Sequence, residues 1–470
     1  MRHKPGIIPH ILPKTWEWIT LESINNRKPK SITPSKFPNQ EFEIYSVPTF
    51  PTGKPEILKG KEIKSGKQEV SLNEVLICKI NPRINRVWIV GKKKDLPQIA
   101  STEWIVVKTP YQVDPLYLLR VCQSNYFRNL LTSNVSGVGG SLTRARPKEV
   151  LKYPIPLPPL AEQKRIVAKL DTLMGHVERS KEQLAKVPAL LKAFRQSVLA
   201  QAVSGQLTED WREGKEYSIK LQPPIQIDLP KETKTLSKWS WNKLIKLAKL
   251  ESGHTPRKSV LEYWKDGDIP WISLQDIRAA HGKVIYQTKY MPTQLGIDNS
   301  SARLLPKGTV CFSRDISVGF VTIMGKPMST TQHFANWIVD INKLDNKYLM
   351  YCFMASKDSL IGNGQGTTVK TIYMPALKKM YLLTPPLQEQ KEIVKRVEAL
   401  FAKADTIEAQ YQAAQEHLET LPQALLAKAF RGELVEQDPS DEPARELLAR
   451  IQAEQAALAL EKKKGKKKKK

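Results

Sequence analysis

The sequence predicts a mixed α/β (α+β) protein in which two globular modules alternate with two long coiled-coil helices, a tandem duplication in a pseudo-two-fold arrangement. Three observations carry this reading. The first is where the charge sits. The 470 residues hold 74 Lys and Arg against 47 Asp and Glu, a net +27. Residues 1–150 have 24 basic and 12 acidic side chains, and residues 231–384 have 22 and 11. The stretches 151–230 and 385–470 are nearly neutral, at +3 and +1. Two separate basic blocks suggest two grips on one polyanion.

The second observation is self-similarity. An offset of 227 residues aligns PPLAEQKRIV at 158–167 with PPLQEQKEIV at 385–394, and 17 of the 50 residues in 158–207 match their partners. Gly137 and Gly139 fall on Gly364 and Gly366 at the same offset. Trp16 and Trp18 match Trp239 and Trp241, and VLICKI (75–80) resembles TVCFSR (309–314). The third observation is a 3.5-residue apolar period. Ile166, Leu170, Leu173, Val177 and Leu184 mark one seam; Ile393, Val397, Leu400, Ile407 and Leu418 mark its repeat. That period specifies a coiled coil, here antiparallel, so that it acts as a ruler between the modules.

Taken in order, residues 1–155 form the first module and 156–210 the first spacer helix region. A Pro- and charge-rich linker follows at 211–235, then the second module at 236–383 and the second spacer at 384–436. A C-terminal helix over 441–461 and a disordered Lys-rich tail complete 437–470. Strands are expected at VLICKI, RVWIVG and TEWIVVK in the first module, and at IPWISL, GTVCFS, GFVTIM and FANWIVDI in the second. Helices are expected at DPLYLLRVCQSNYFRNLL and LDNKYLMYCFMAS. Pro159 and Pro386 suit the first turns of the spacers, and Gly205 and Gly432 suit their ends. Pro188 and Pro422 should interrupt them.

Most chemistries find no support. No run of about 18 apolar residues is present to span a membrane, and the N-terminal stretch does not read as a signal peptide. Cys78, Cys122, Cys311 and Cys352 lie far apart and read as buried thiols of a reducing cytoplasm. GxxxxGK[ST], HExxH and GxSxG motifs are absent. An adenine methylase loop would need Asn/Asp-Pro-Pro-aromatic, and Asn81-Pro82-Arg83-Ile84 does not supply it. Glu162-Gln163-Lys164 and Glu389-Gln390-Lys391 are read as capping and solubilising helix starts, not as nuclease sites. The chain reads as having no catalytic centre, cofactor site or metal site of its own.

What remains are side chains suited to reading DNA. In the first module these are Lys79, Asn81, Arg83, Asn85 and Arg86, then Ser141, Thr143, Arg144 and Arg146 after the glycines. In the second they are Arg314, Thr330, Thr331, Gln332 and His333, then Gln365, Thr367 and Lys370. Arg pairs bidentately with guanine, and Asn or Gln with adenine.

The tandem PPLxEQKxIV helices resemble those of the specificity subunits of type I restriction–modification enzymes. Leu250-Glu251-Ser252-Gly253-His254-Thr255-Pro256, Glu262-Tyr263-Trp264 and Gly267-Asp268-Ile269-Pro270-Trp271-Ile272 are similar to the opening of that family's target-recognition domain. The first module offers only Ile44-Tyr45-Ser46-Val47-Pro48 at that point, as a different subtype would. The resemblance implies a noncatalytic, cytoplasmic reader of double-stranded DNA with a two-part asymmetric target. It implies two methyltransferase subunits as partners, carrying S-adenosylmethionine, and restriction subunits using ATP and Mg. The competing classes are a self-contained methyltransferase or nuclease with an unrecognised site, and a free-standing DNA-binding regulator.

Overall fold

The structure is a computed structural model that describes residues 11–27, 30–92, 95–133, 135–136, 143–212, 222–229, 236, 238–362, 364 and 371–467, with backbone alone at 136 and 458–467. Two compact units emerge. One combines Met1–Leu184 with Ala413–Lys470, and the other is the contiguous stretch Ala185–Gln412.

In the first unit, Val75–Cys78 lies between Val87–Ile89 and Trp104–Val107 in an antiparallel sheet of continuously apolar strands. A five-stranded sheet follows the order Ser31–Ile32, Lys67–Glu69, Gln98–Ser101, Glu41–Tyr45, Glu56–Lys59. The helix expected after the strands is two, Pro115–Gln123 and Asn125–Ser133, separated at Ser124. Asp114 caps the first by accepting from the backbone N–H groups of Leu116 and Tyr117.

In the second unit, Ala248–Ser252, Phe334–Val339, Val310–Ser313, Val321–Met324 and Val284–Ile285 form a five-stranded sheet in that order. Asp345 caps the helix Asn346–Ala355 as Asp114 does its counterpart. The stretch read as a linker holds a short strand, Ile225–Gln226, paired with Tyr381–Thr384. Ile225 is completely buried, so this Pro-rich segment closes a sheet edge, where proline costs no ladder bond.

The spacers treat their prolines differently. The first is broken into Leu160–Leu184 and Val187–Ser204, with Pro188 in the opening turn of the second piece, where its missing N–H is not needed. The second runs unbroken for 44 residues, Leu387–Phe430, with Pro422 inside it. The expected interruption is absent because Leu425, Leu426, Ala429 and Phe430 beyond the proline are held in the apolar core of the first unit. Gly205 and Gly432 stop the helices in left-handed conformation, at φ of 78° and 75°. The C-terminal helix extends over Ala444–Lys467, longer than expected and into the Lys run read as disordered. Its Ala444, Leu447 and Ile451 are buried.

Each unit contains a segment of each spacer. In the second, Arg195 is paired with Asp405 and Glu408, while Arg396 donates to the Leu207 carbonyl at 2.9 Å. Rising numbers on one helix meet falling numbers on the other, so the pairing is antiparallel. The seam residues Ile166, Leu170, Val177, Ile393 and Val397 are buried, and Leu173, Leu184, Leu400 and Leu418 half-buried. Ile407 is a correction: it is 47% exposed. Ile393 and Val397 are packed into the apolar core of the second unit, to which Ile407 does not belong.

Candidate nucleic-acid interface

The PPLxEQKxIV motif anchors each spacer to its module. Trp16 donates its indole N–H to Glu162 at 2.9 Å, and Trp239 donates to Glu389 at 2.9 Å. The amide oxygen of Gln163 accepts from the Asp114 backbone N–H at 2.8 Å, and Gln390 does the same for Asp345 at 2.8 Å. The hydroxyl of Tyr117 donates to the Pro156 carbonyl, and that of Tyr348 to the Leu383 carbonyl. The two glutamates are therefore buried acceptors; the solubilising role expected of them does not hold. Their remaining partners differ. Glu162 accepts from the neutral amide of Gln437, whereas Glu389 accepts from Thr208 at 2.9 Å and pairs with the buried Arg212 at 2.7 Å. Burial, against the hydrogen bonds from Trp16 and Gln437, holds the Glu162 carboxyl above its ordinary range.

The anchored frame presents a corresponding place in each unit. The Ala145 backbone N–H donates to the Lys79 carbonyl at 2.8 Å, and Ile372 donates to the Arg314 carbonyl at 2.8 Å. Ala145 and Ile372 are 227 residues apart, the offset of the repeat. Lys79 and Arg314 thus sit at equivalent strand ends, each held by the segment that returns from the glycine-rich stretch.

In the first unit this joins the two basic clusters expected from sequence. Asn81 donates its backbone N–H to the Thr143 carbonyl at 2.9 Å, and Ile80 forms a β-bridge with Arg144. Asn81 and Asn85 adopt left-handed conformation around the turn Pro82–Ile84, a geometry Asn tolerates better than most residues. Glu103, which carries no signal in the sequence, lies 3.7 Å from Lys79 and 3.6 Å from Arg144. Asn85 donates to the Cys122 carbonyl and Arg86 to the Ile80 carbonyl, both shaping the turn. Thr143 is buried and supports it from beneath. Arg83, Arg144 and Arg146 are the exposed cations of the group. Ser141 lies outside the described residues.

In the second unit, Arg314 receives the His333 carbonyl on its backbone N–H at 3.0 Å and donates Nη2 to the Gln332 carbonyl at 3.0 Å. His333 Nδ1 lies 2.6 Å from Asp315. The Gln332 amide oxygen accepts from Thr255 at 2.6 Å and Thr331 at 3.1 Å, which turns its N–H donors outward on an exposed side chain. Thr330 is a correction: it is fully buried and its hydroxyl accepts from Asn336 at 2.8 Å, so it belongs to the core and not to the face. Gly253 explains part of the Ser-Gly-His-Thr-Pro string, since a Cβ there would stand 2.1 Å from the Thr330 hydroxyl oxygen. Gln365, Thr367 and Lys370 lie outside the described residues.

The four cysteines are buried and unpaired, with burial pushing their thiols above the ordinary range, which makes them inert. Among the described residues, no three His, Cys, Asp or Glu are grouped to hold a metal ion, and no helix is long and apolar enough to cross a membrane. Fold and site together define a protein of two similar α/β modules, each anchored to a long helix and each presenting basic and polar side chains at an equivalent strand end.

Comparison with known proteins makes the class particular. The family profile described as "Type I restriction modification DNA specificity domain" matches residues 13–189 and 237–416. The chain is 31% identical over 362 residues to the StySPI specificity subunit of Salmonella potsdam, covering 73% of this chain and 72% of that protein. It is 30% identical over 360 residues to the EcoKI specificity subunit of Escherichia coli K12, covering 73% and 72%. The fold is similar to that of the HsdS subunit from Thermoanaerobacter tengcongensis, with a TM-score of 0.67, 22% identity, and coverage of 90% of this chain and 99% of that one. The chain belongs to the family of type I restriction–modification specificity subunits.

Proposed function

We propose that each unit reads one half of a two-part target in double-stranded DNA, through the loops held at Lys79 in the first unit and Arg314 in the second. One observation carries this reading: the same backbone hydrogen bond, at the same place in the repeat, presents Lys, Asn and Arg in one unit and Arg, Gln and His in the other. An equal frame with unequal side chains suits two unlike half-sites. Arg83 and Arg146 are assigned to phosphates or guanine, and Arg314 and the outward amide of Gln332 to base edges. Exchanging residues 1–155 for the module of another family member should change one half of the methylated target and leave the other intact. Mapping methylated adenines in a host with the assembled system reads this out; a change in both halves, or in neither, refutes it.

The spacers are assigned to protein partners, two methyltransferase subunits and through them the restriction subunits. Supporting this are their low net charge and the exposed apolar side chains of Leu190, Phe194 and Ile407. S-adenosylmethionine, ATP and Mg belong to those partners, and the assembly acts on cytoplasmic DNA. Inserting one heptad in both spacers, about 10 Å of helix, should lengthen the unread gap by at most about three base pairs at 3.4 Å each.

A further inference from the structure

The motif around Trp271 builds a pocket that the reading loops do not use. Three aromatic rings stand edge to face: Trp264 and Trp271 with centroids 5.4 Å apart at 87°, and Tyr290 at 6.5 Å and 6.4 Å from them. With Lys258 they line an open cavity of about 300 Å³. Both indole N–H groups are already engaged. Trp271 donates to the His254 carbonyl at 3.0 Å and Trp264 to the Arg257 carbonyl at 3.4 Å. Trp271 is buried, so the accessible aromatic surface of the box is that of Trp264 and Tyr290. The box is also rigid. The Trp271 backbone N–H donates to the Tyr290 carbonyl at 3.1 Å, and a Cβ on Gly267 would stand 2.2 Å from the Met291 carbonyl oxygen.

We propose that this aromatic box holds one unstacked nucleobase of the DNA bound to the second unit. The inference rests on the DNA-reading assignment above and adds a site to it. Charge selects the occupant. Lys258 lines the box and Lys289 lies 5.4 Å from the Tyr290 ring centroid, so a cationic guest is repelled and a base on an anionic backbone is favoured. Every base has a π face, so stacking accepts any base. Position agrees with this. The wall at Trp271 is bonded to His254, whose N–H donates to the Thr330 carbonyl at 2.9 Å, and the neighbouring Thr255 donates to Gln332. Box and reading loop are one connected structure.

The test uses the full chain assembled with its methyltransferase, and duplexes carrying the mapped target. Trp264→Ala and the more exposed Tyr290→Ala should each bind the intact duplex about ten- to a hundred-fold more weakly, with Trp264→Phe close to wild type. A set of duplexes each lacking one base should contain one position that costs the wild type this factor and costs the alanine variants nothing further. Unchanged binding in both alanine variants, with Arg314→Ala still impaired, overturns the box and leaves the reading face standing. If Arg314→Ala is silent as well, the reading of this face has failed and the box with it. Loss in Trp264→Phe equal to that in Trp264→Ala means packing and not stacking, and overturns the proposal. So does binding of free dAMP, followed by tryptophan fluorescence, in a protein whose affinity for duplex is insensitive to all these changes.

Discussion

The two units are built on the same hydrogen bonds and differ in what those bonds carry. Trp16 on Glu162 repeats as Trp239 on Glu389, and Asp114 on Gln163 repeats as Asp345 on Gln390. The residues at the strand ends are free to vary: Lys79 is tethered near Glu103, whereas Arg314 spans the turn at Gln332 and His333. Positional accuracy is invested in the frame, so the face can change without refolding the module. Even the frame has one asymmetry, a neutral amide on Glu162 against a buried guanidinium on Glu389.

That asymmetry gives the largest expected effect. Glu389→Gln breaks the ion pair with the Arg212 guanidinium, whose side chain is 6% exposed, and should destabilise the second unit by about 3–5 kcal/mol. Glu162→Gln keeps an acceptor for Trp16 and strands no buried cation, so it should cost within about 1 kcal/mol. Denaturant unfolding of both variants measures the difference; equal losses would show that the two anchors are energetically alike. Next in size, Arg314→Ala should weaken binding by about 1–3 kcal/mol and relax specificity only in the second half-site. Competition binding with duplexes altered in one half at a time checks it.

A smaller effect separates Arg83→Ala from Arg314→Ala. If Arg83 grips phosphate, its loss should weaken binding to all sequences alike and reduce the slope of log affinity against log salt by about 1. The smallest effect is a pH dependence of the first unit. The Glu162 carboxyl binds its proton more tightly in the folded than in the unfolded chain. Its contribution to stability is therefore complete below the ordinary glutamate value of about 4.3 and is lost as pH rises through the higher folded value. Wild type should lose stability relative to Glu162→Gln over that rise, and melting both across the acidic range tests the sign.

What was legible in the sequence was what is periodic or local. The heptads and the glycine stops follow from neighbours a few residues away, and so do most of the strands. The burial of Glu162 and Glu389 was not legible, because their tryptophan partners lie 146 and 150 residues distant. Thr330 looked like a reader close to Gln332, yet Ser329, Thr330 and Thr331 are all buried and exposure begins only at Gln332, after the strand has ended. Pro422 carried the same local signal as Pro188; only the packing of Phe430 and its neighbours distinguishes them. At the face, type and clustering pointed to Arg314, Gln332 and His333, which the structure brings together. Glu103, their acidic counterpart in the first unit, gave no sign of itself.

The discontinuity of the first unit has a consequence for how the protein is made. Residues 185–412 form the second unit from one unbroken stretch, whereas the first waits for Leu425, Leu426 and Phe430 to complete its core. At a synthesis rate of roughly 5–20 residues per second, the N-terminal module stands open for about 10–45 s while the second unit emerges and folds. The second unit therefore has its whole core available before the first does. A message truncated after residue 412 would yield a finished second module and an unfinished first one.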